Sequence, residues 1–181
     1  MDSAKQKLRS KIRSQRSNLE LTVPNWQNVL DAPEIQSART IASYLSYMSE
    51  PNTEKLNASL IQIGKNLVLP RLLSNNDLIW VKWDGRTDSL SPESRSGYRE
   101  PMGEIFEGTI DVVIIPALAI DQKGNRLGQG GGSFDRALSK LRGWKIALVY
   151  DNELVETKIP VENHDQPVDA VATPLRLIRF N

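Results

Sequence analysis

The chain has no cysteine and a single histidine among its 181 residues. Without cysteine it forms no disulfide bond, carries no thiolate nucleophile and offers no cysteine ligand for zinc. The one histidine, His164, lies in the polar stretch ENHDQP and lacks neighbours that would indicate a catalytic triad or a zinc site. These absences exclude several common catalytic classes and fit a reducing compartment.

An excess of charge of one sign and a long apolar run are also missing. The 23 basic side chains balance 22 acidic ones, so the net charge of +1 predicts neither a nucleic-acid nor a membrane-surface partner. The longest nearly apolar run, VVIIPALAI, contains Pro116 and is too short to span a bilayer. The stretch MDSAKQKLRSKIR lacks the apolar region of a signal peptide. We therefore expect a soluble, cytoplasmic protein.

Helical and strand-like patterns alternate along the chain, which is typical of an α/β protein. The run at residues 111–120 is apolar on both faces, so it predicts a buried central strand of a parallel sheet. No repeat or linker divides residues 1–181, and we expect one domain with a mainly parallel sheet flanked by helices. The predicted helices cover residues 3–18, 24–38, 53–64 and 133–142, the other predicted strands cover 40–47, 66–70, 78–83 and 144–150, and 84–108 predicts a long surface loop.

Residues 126–136, RLGQGGGSFDR, concentrate four glycines between charged side chains. A glycine-rich loop that leads into a helix can present backbone N–H groups to a phosphate, although a short glycine run is also typical of a flexible turn. The neighbours favour the phosphate loop, since Arg126 supplies a cation and Asp135 an oxygen ligand for Mg²⁺. Arg136 is either a second cation or a structural partner for a carboxylate. The pattern matches neither of the common phosphate-binding motifs.

A basic face on the first predicted helix complements this loop. Lys5, Arg9 and Arg13 recur at every fourth residue and so share one side of a helix. Such a row can bind a polyphosphate, but basic rows on helices are also commonly solvated surfaces.

These motifs belong to a longer pattern that resembles the 5-formyltetrahydrofolate cyclo-ligase family. The resemblance runs nearly from end to end of the chain. It is carried by AKQKLR, ASYLSYMSEPNT, LVLPRL, the EP at 100–101, IDVVIIPALAIDQKGNRLGQGGGSFDR and IPVENHDQPVDAVATP.

The resemblance implies a fold and a reaction. The expected fold is Rossmann-like and related to the ribose-phosphate isomerase and CoA-transferase group. The expected reaction converts 5-formyltetrahydrofolate to 5,10-methenyltetrahydrofolate with ATP and Mg²⁺, releasing ADP and phosphate. ATP and a reduced folate are thus the expected partners of a protein that we expect to be a monomer.

The resemblance also assigns roles to residues of this chain. Asp135 and Asp169 match metal-associated carboxylates, and Arg126 and Asp135 are the expected catalytic residues. Leu45, Glu50 and Ser133 match contacts to the folate, where Glu50 would accept pterin N–H groups. The residues expected to bind ATP are Lys5, Arg9, Arg126, Leu127, Gly128, Gln129, Gly130, Gly131, Gly132, Ser133 and Phe134.

Three positions in two segments depart from the family pattern. Ser133 and Phe134 stand where the family usually has two tyrosines, so one aromatic surface expected to face the folate is missing. Glu153 stands where glutamine is frequent. Two alternatives therefore stay open: a relative that acts on another small substrate, and a nucleotide-binding module without turnover.

Overall fold

A computed structural model describes residues 2–17, 23–92 and 98–180 of the chain. Its described residues form five α-helices, ten strands and two 3₁₀ helices (Thr87–Ser89 and Asp151–Glu153). The α-helices are α1 (Asp2–Ser17), α2 (Gln27–Leu30), α3 (Pro33–Ser37), α4 (Glu54–Gln62) and α5 (Ser133–Leu138). The strands are β1 (Thr40–Ala42), β2 (Asn66–Leu72), β3 (Leu78–Lys82), β4 (Val112–Pro116), β5 (Ala119–Asp121), β6 (Arg126–Leu127), β7 (Trp144–Leu148), β8 (Leu154–Val155), β9 (Ala170–Ala172) and β10 (Leu177–Arg179).

Seven strands form one sheet in the order β10-β9-β7-β4-β1-β2-β3. The five inner strands run parallel, and the edge strands β3 and β10 are each antiparallel to their neighbour. The prediction of a mainly parallel sheet flanked by helices is therefore confirmed. Because consecutive parallel strands end at the same edge of the sheet, the loops that follow them are brought together there.

The sheet is buried on both faces because alternate residues of its inner strands point to opposite sides. Val112 and Ile114 pack with the core on the side of α2, α3 and α4. Val113 and Ile115 pack with the opposite core, which includes Leu138 of α5. This two-sided burial explains why the central strand carries no polar residue.

A second, three-stranded sheet has the order β6-β5-β8 and lies under α1. Leu8 and Ile12 of α1 pack against a separate cluster that includes Leu118, Leu127 and Ile159. The apolar side of α1 thus packs on the small sheet, and the basic side of the helix is available for other contacts.

Four predicted elements are shorter or divided in the structure. The predicted strand 111–120 is two strands, since β4 ends at Pro116 and the chain then enters the small sheet as β5. The predicted helix 24–38 is split into α2 and α3, with Trp26 in a left-handed conformation before α2 and Pro33 at the start of α3. The predicted strand 40–47 ends at residue 42, and the predicted helix 133–142 at Leu138.

Other predictions concern element ends. Pro70 does not end β2, because β1 stops opposite Val68 and Pro70 lies beyond that pairing. The strands β8, β9 and β10 were not predicted from the sequence. Residues 18 and 93–97 of the predicted first helix and long loop lie outside the described residues. No helix in the described part of the chain has the length and apolar character to cross a membrane.

Candidate active site

A cavity of about 350 Å³ opens at the carboxyl edge of the main sheet, where Pro116 ends β4. It gathers α1, the loop after β1, the glycine loop after β6, the start of α5 and the loop before β9. Its other lining residues are Lys5, Arg9, Glu50, Leu72, Leu78, Tyr98, Arg126, Leu127, Gly128, Gln129, Gly130, Gly131, Gly132, Ser133, Phe134, Asp135, Glu162, His164 and Asp165. Nearly all the residues expected to bind ATP or substrate are therefore brought together.

The glycine loop, residues 128–132, joins β6 to α5 and needs glycine at specific positions. Gly130 and Gly132 have φ of 108° and 68°, a region that side-chain-bearing residues rarely adopt. A Cβ on Gly128 would lie 2.7 Å from Nη1 of Arg126. Gly131 differs, because its φ is not positive and an added Cβ would meet only Oγ of Ser133, at 3.8 Å. Glycine is therefore required at 130 and 132 by the positive φ, and at 128 by the close approach of the Arg126 side chain.

The basic side of α1 fastens onto this loop. Arg9 donates from Nε to the Gly128 carbonyl at 3.0 Å. Arg13 donates from Nη2 to the Gln129 carbonyl at 3.0 Å and to its Oε1 at 2.8 Å. By contrast, Lys7 and Lys11 are exposed. The predicted basic row is thus a contact surface for the loop, and it places Arg9 at the cavity.

Arg126 is buried at the base of the cavity and pairs with Asp135. Its Nη2 lies 2.8 Å from Oδ1 of Asp135, with side-chain exposures of 4% and 16%. Among the described residues its Nε is one of two buried side-chain polar atoms without a hydrogen-bond partner. The backbone N–H of Gln166 also donates to Oδ1 of Asp135, at 3.2 Å. Arg126 therefore combines a fixed position with unused donor capacity.

Lys5 forms a second cation–carboxylate pair at the cavity. Its Nζ lies 2.6 Å from Oδ2 of Asp165, which also accepts from the Glu162 backbone N–H at 2.7 Å. Burial raises the pKa of Asp165, but the hydrogen bonds from Lys5 and Glu162 outweigh it and leave the pKa below its usual value. The carboxylate is therefore ionised at neutral pH.

The sequence around His164 predicts no site, yet this residue lines the cavity beside Lys5 and Asp165. Its Nε2 lies 3.4 Å from Oε2 of Glu162 and 3.9 Å from Oδ1 of Asp165. No local motif predicts that His164 lies at the cavity, because Lys5, which binds the neighbouring Asp165, is 160 residues away in the sequence.

Asp169 is not at the cavity. It precedes β9, and its Oδ2 accepts from the backbone N–H of Lys145, near the start of β7, at 2.7 Å. Both positions lie at the amino ends of parallel strands, which is the opposite edge of the sheet. The expected pairing of Asp135 and Asp169 at one ion does not fit this geometry, whereas Asp165, four residues earlier, lines the cavity.

Arg136 follows the second of the two readings from the sequence. Its Nε donates to Oδ1 of Asp77 at 2.9 Å, and its Nη2 donates to the Asn76 carbonyl at 2.6 Å. It is a structural partner that ties α5 to the turn before β3, and it does not line the cavity.

Glu50 lines the same cavity from the loop after β1. Its Oε2 accepts from the Tyr47 backbone N–H at 3.1 Å, and its own carbonyl accepts from the Tyr150 hydroxyl at 3.4 Å. Burial raises the pKa of Glu50, and the Tyr47 hydrogen bond and the charge of Arg16 only partly offset this. The carboxylate is a fixed acceptor in a poorly solvated position.

Leu45 lies in a neighbouring cavity of about 270 Å³ and does not line the main one. The two cavities share Tyr98, which lines both. The structure thus places Leu45 in a different cavity from Glu50 and Ser133.

The described residues contain no group of three or more histidine, aspartate or glutamate side chains arranged to hold a metal ion. Mg²⁺ that is bound with a nucleotide usually needs only one or two carboxylates, because phosphates and water supply the remaining oxygens. Asp135 and Asp165 both border the cavity, and this donor set fits that mode of binding.

Fold and cavity together define an α/β protein with a glycine-rich, cation-lined site at the carboxyl edge of a parallel sheet. The chain belongs to the 5-formyltetrahydrofolate cyclo-ligase family, whose model matches residues 1–174. This family consists of ligases, as its name states.

Named relatives agree with this assignment. A 5-formyltetrahydrofolate cyclo-ligase from Escherichia coli is 33% identical over 154 residues, which cover 80% of this chain and 83% of that protein. One from Mycolicibacterium smegmatis is 34% identical over 150 residues, or 77% and 76% of the two chains. The NMR structure of 5,10-methenyltetrahydrofolate synthetase from Aquifex aeolicus superposes with a TM-score of 0.82 at 27% identity and covers 97% of this chain and 92% of that one.

Proposed function

We propose that this chain converts 5-formyltetrahydrofolate to 5,10-methenyltetrahydrofolate with ATP and releases ADP and phosphate. The observation that carries the proposal is the cavity itself. A glycine loop, two buried cations and the half-buried acceptor Glu50 meet in one space, in a chain of this family.

The chemistry needs two bond exchanges. The formyl oxygen is a poor leaving group, so it first takes the γ-phosphoryl group of ATP, and the bond from that phosphorus to the bridging oxygen of ADP breaks. The N10 nitrogen then attacks the formyl carbon and loses its proton, and the carbon–oxygen bond breaks to release phosphate. Neither exchange requires a covalent enzyme intermediate, which agrees with a chain that has no cysteine.

Phosphoryl transfer depends mainly on positioning and on charge stabilisation. Lys5, Arg9 and Arg126 line the cavity and would neutralise phosphate oxygens. Gly130 and Gly132 keep the loop free of side chains where a phosphate approaches. Asp135 holds Arg126 in place and is the proposed partner for the metal.

We assign the Mg²⁺ ligands to Asp135 and, in place of Asp169, to Asp165. Bound with ATP, Mg²⁺ would neutralise part of the phosphate charge. Asp165 accepts from Lys5, and Asp135 accepts from Arg126. Each carboxylate therefore also sets the position of a phosphate-binding cation.

Glu50 and Ser133 are the proposed contacts to the folate. The Glu50 carboxylate would accept the N–H groups at the edge of the pterin ring. Ser133, the first residue of α5, follows the glycine loop directly and lines the cavity, which supports a role for it in binding the folate.

The remaining expectations stand as parts of this proposal. They are a single domain over residues 1–181, a Rossmann-like relation to the ribose-phosphate isomerase and CoA-transferase group, a monomer, and a cytoplasmic location without nucleic-acid or membrane partners. The near-zero net charge supports the last of these.

The proposal is tested by incubating the purified chain with ATP, Mg²⁺ and 5-formyltetrahydrofolate while the absorbance of the methenyl product is followed. We expect product in an amount equal to the ADP released. ADP release only with another substrate would favour a relative of different specificity, and ATP binding without turnover would favour a nucleotide-binding module. Either outcome would overturn the proposed function.

A further inference from the structure

The cavity offers few aromatic surfaces. Its described lining includes the rings of Tyr98 and Phe134 and the smaller imidazole of His164. Phe134, in the first turn of α5, is partly buried against the core on the α5 side of the main sheet. Tyr98 comes from the segment between β3 and β4 and lines the cavity together with Glu50.

Tyr98 is held beside Glu50 through Tyr47. The rings of Tyr47 and Tyr98 meet edge to face, with centroids 6.3 Å apart and an interplanar angle of 86°. The backbone N–H of Tyr47 donates to the Glu50 carboxylate at 3.1 Å. One loop therefore fixes both an N–H acceptor and a neighbouring ring.

The charge of Glu50 also affects Tyr98. Burial, followed by the charges of Glu100 and Glu50, raises the pKa of Tyr98 to about 12. Tyr98 is consequently neutral throughout the physiological range, and its ring carries no phenolate charge that would repel the glutamate.

We propose that Tyr98 is a specificity-determining residue whose ring stacks on the flat pyrimidine portion of the pterin while Glu50 binds the N–H groups at its edge. The inference deepens the proposed function and rests on it. A planar, polar-edged heterocycle needs an apolar or aromatic face and an in-plane acceptor. Tyr98 and Glu50 supply both, whereas Ser133 supplies no ring.

The position of Tyr98 gives it a second consequence. Tyr98 lines both the main cavity and the cavity that contains Leu45, so a smaller side chain at position 98 would enlarge the space beside them. We therefore expect the residue at position 98 to limit the size of the heterocycle that can be held against Glu50.

The test compares Tyr98→Leu, Tyr98→Phe and wild type by calorimetric titration with 5-formyltetrahydrofolate and by steady-state kinetics. We expect Tyr98→Leu to raise the Kd and the KM for the folate roughly fivefold to tenfold, while the KM for ATP stays unchanged. Tyr98→Phe retains the ring and should stay within about twofold of wild type. Adding Ser133→Tyr to Tyr98→Leu should restore part of the lost affinity, because it returns an aromatic ring to the cavity.

Two outcomes would overturn the inference. Equal folate affinity in Tyr98→Leu and wild type would show that the ring does not contact the ligand. Equal damage in Tyr98→Leu and Tyr98→Phe would assign the effect to the hydroxyl group. Failure of the proposed function is distinguishable, because it appears as a wild type that binds folate without forming product. A wild type that does not bind the folate would overturn both.

Discussion

Each end of α1 carries a cation paired with a carboxylate, but one pair is buried in the interior and the other lies at the cavity. At the carboxyl end, Arg16 pairs with Glu153 at 2.6 Å, and each side chain is 1% exposed. At the amino end, Lys5 pairs with Asp165 at the same distance, but the carboxylate is 19% exposed and both residues line the cavity. One helix therefore joins an interior ion pair to a cavity-facing one.

The Arg16 pair is engaged entirely within the protein. Nη2 of Arg16 also donates to the Ala117 carbonyl at 2.6 Å, and its guanidinium lies 5.5 Å from the ring centroid of Tyr150. Glu153 in turn accepts from the Tyr150 backbone N–H at 2.8 Å. These contacts fix the end of α1 against the loops after β4 and β7, and they leave no room for a ligand.

The difference indicates how to separate structural from functional cations in this chain. Arg16 has its charge neutralised in the interior, whereas Lys5 and Arg126 line the cavity. Removal of Arg16 should act on stability, and removal of the cavity-facing groups should act on binding and turnover. The following predictions are ordered from the largest expected effect to the smallest.

Arg16→Met should lower the free energy of unfolding by about 3 to 5 kcal/mol, because it leaves the Glu153 carboxylate buried without a counter-charge. The measurement is denaturant unfolding. Lys11→Met is the matched control, since Lys11 lies on the same helix but is exposed, and its effect should stay within about 0.5 kcal/mol. Equal losses in the two variants would show that the loss does not come from the buried pair with Glu153.

Asp135→Asn should reduce turnover roughly 100-fold, equivalent to about 2.7 kcal/mol in the transition state, with a much smaller loss of stability. The substitution keeps the shape but removes the charge that positions Arg126 and would bind Mg²⁺. Kinetics over a range of Mg²⁺ concentrations checks it. Asp169→Asn is the control, and a loss of turnover as large as that of Asp135→Asn would contradict the placement of Asp169 at the far edge.

Lys5→Ala and Arg9→Ala should each raise the KM for ATP about tenfold and leave the KM for the folate nearly unchanged. Both side chains line the cavity, whereas Lys7 is exposed on the other side of α1. Lys7→Ala therefore serves as the control. If it is as harmful as Lys5→Ala, the effect comes from diffuse surface charge.

The smallest effect concerns Glu50 and pH. Its pKa is raised by burial, so the folded chain protonates this group at a higher pH than the unfolded chain does. Ionised Glu50 thus lowers stability above its folded pKa, and this penalty disappears as the pH falls through that value. Folate binding should weaken over the same interval, because the protonated group is a poorer acceptor of N–H groups.

The matched variant for this pH effect is Glu50→Gln. It should bind the folate more weakly than wild type at neutral pH and should lose the dependence on Glu50 ionisation. Titrations with 5-formyltetrahydrofolate from neutral to mildly acidic pH measure how the Kd changes with pH in wild type and in Glu50→Gln. The same change of Kd with pH in the two proteins would assign the pH dependence to another group.

The sequence predicts the parts of this fold that depend on local pattern. Residues 112–116 are apolar on both faces, and the structure places them at the centre of the parallel sheet. The small sheet could not be predicted, because β8 is only two residues long and pairs with β5 from more than thirty positions away. The start of α2 at Gln27 could not be predicted either, because it follows the buried Trp26, whose left-handed backbone is set by tertiary packing.

The site was predictable where one segment carries it, as in the glycine loop. It was not predictable where two distant segments meet. Asp165 and Asp169 lie four residues apart in one polar segment, and only the start of β9 at Ala170 shows which of them faces the cavity. Tyr98 and His164 were missed for the same reason, since Tyr98 packs on Tyr47 of another loop and His164 lies beside Asp165, which binds Lys5 of α1.

The most direct test follows the formyl oxygen itself. 5-Formyltetrahydrofolate carrying a heavy-oxygen label in its formyl group is converted by the chain with ATP and Mg²⁺, and the released phosphate is analysed by mass spectrometry. If the cavity transfers the γ-phosphoryl group to that oxygen, the label appears in the phosphate in an amount equal to the methenyl product. Product accompanied by unlabelled phosphate would contradict the account, because ATP would then be cleaved without activation of the formyl group.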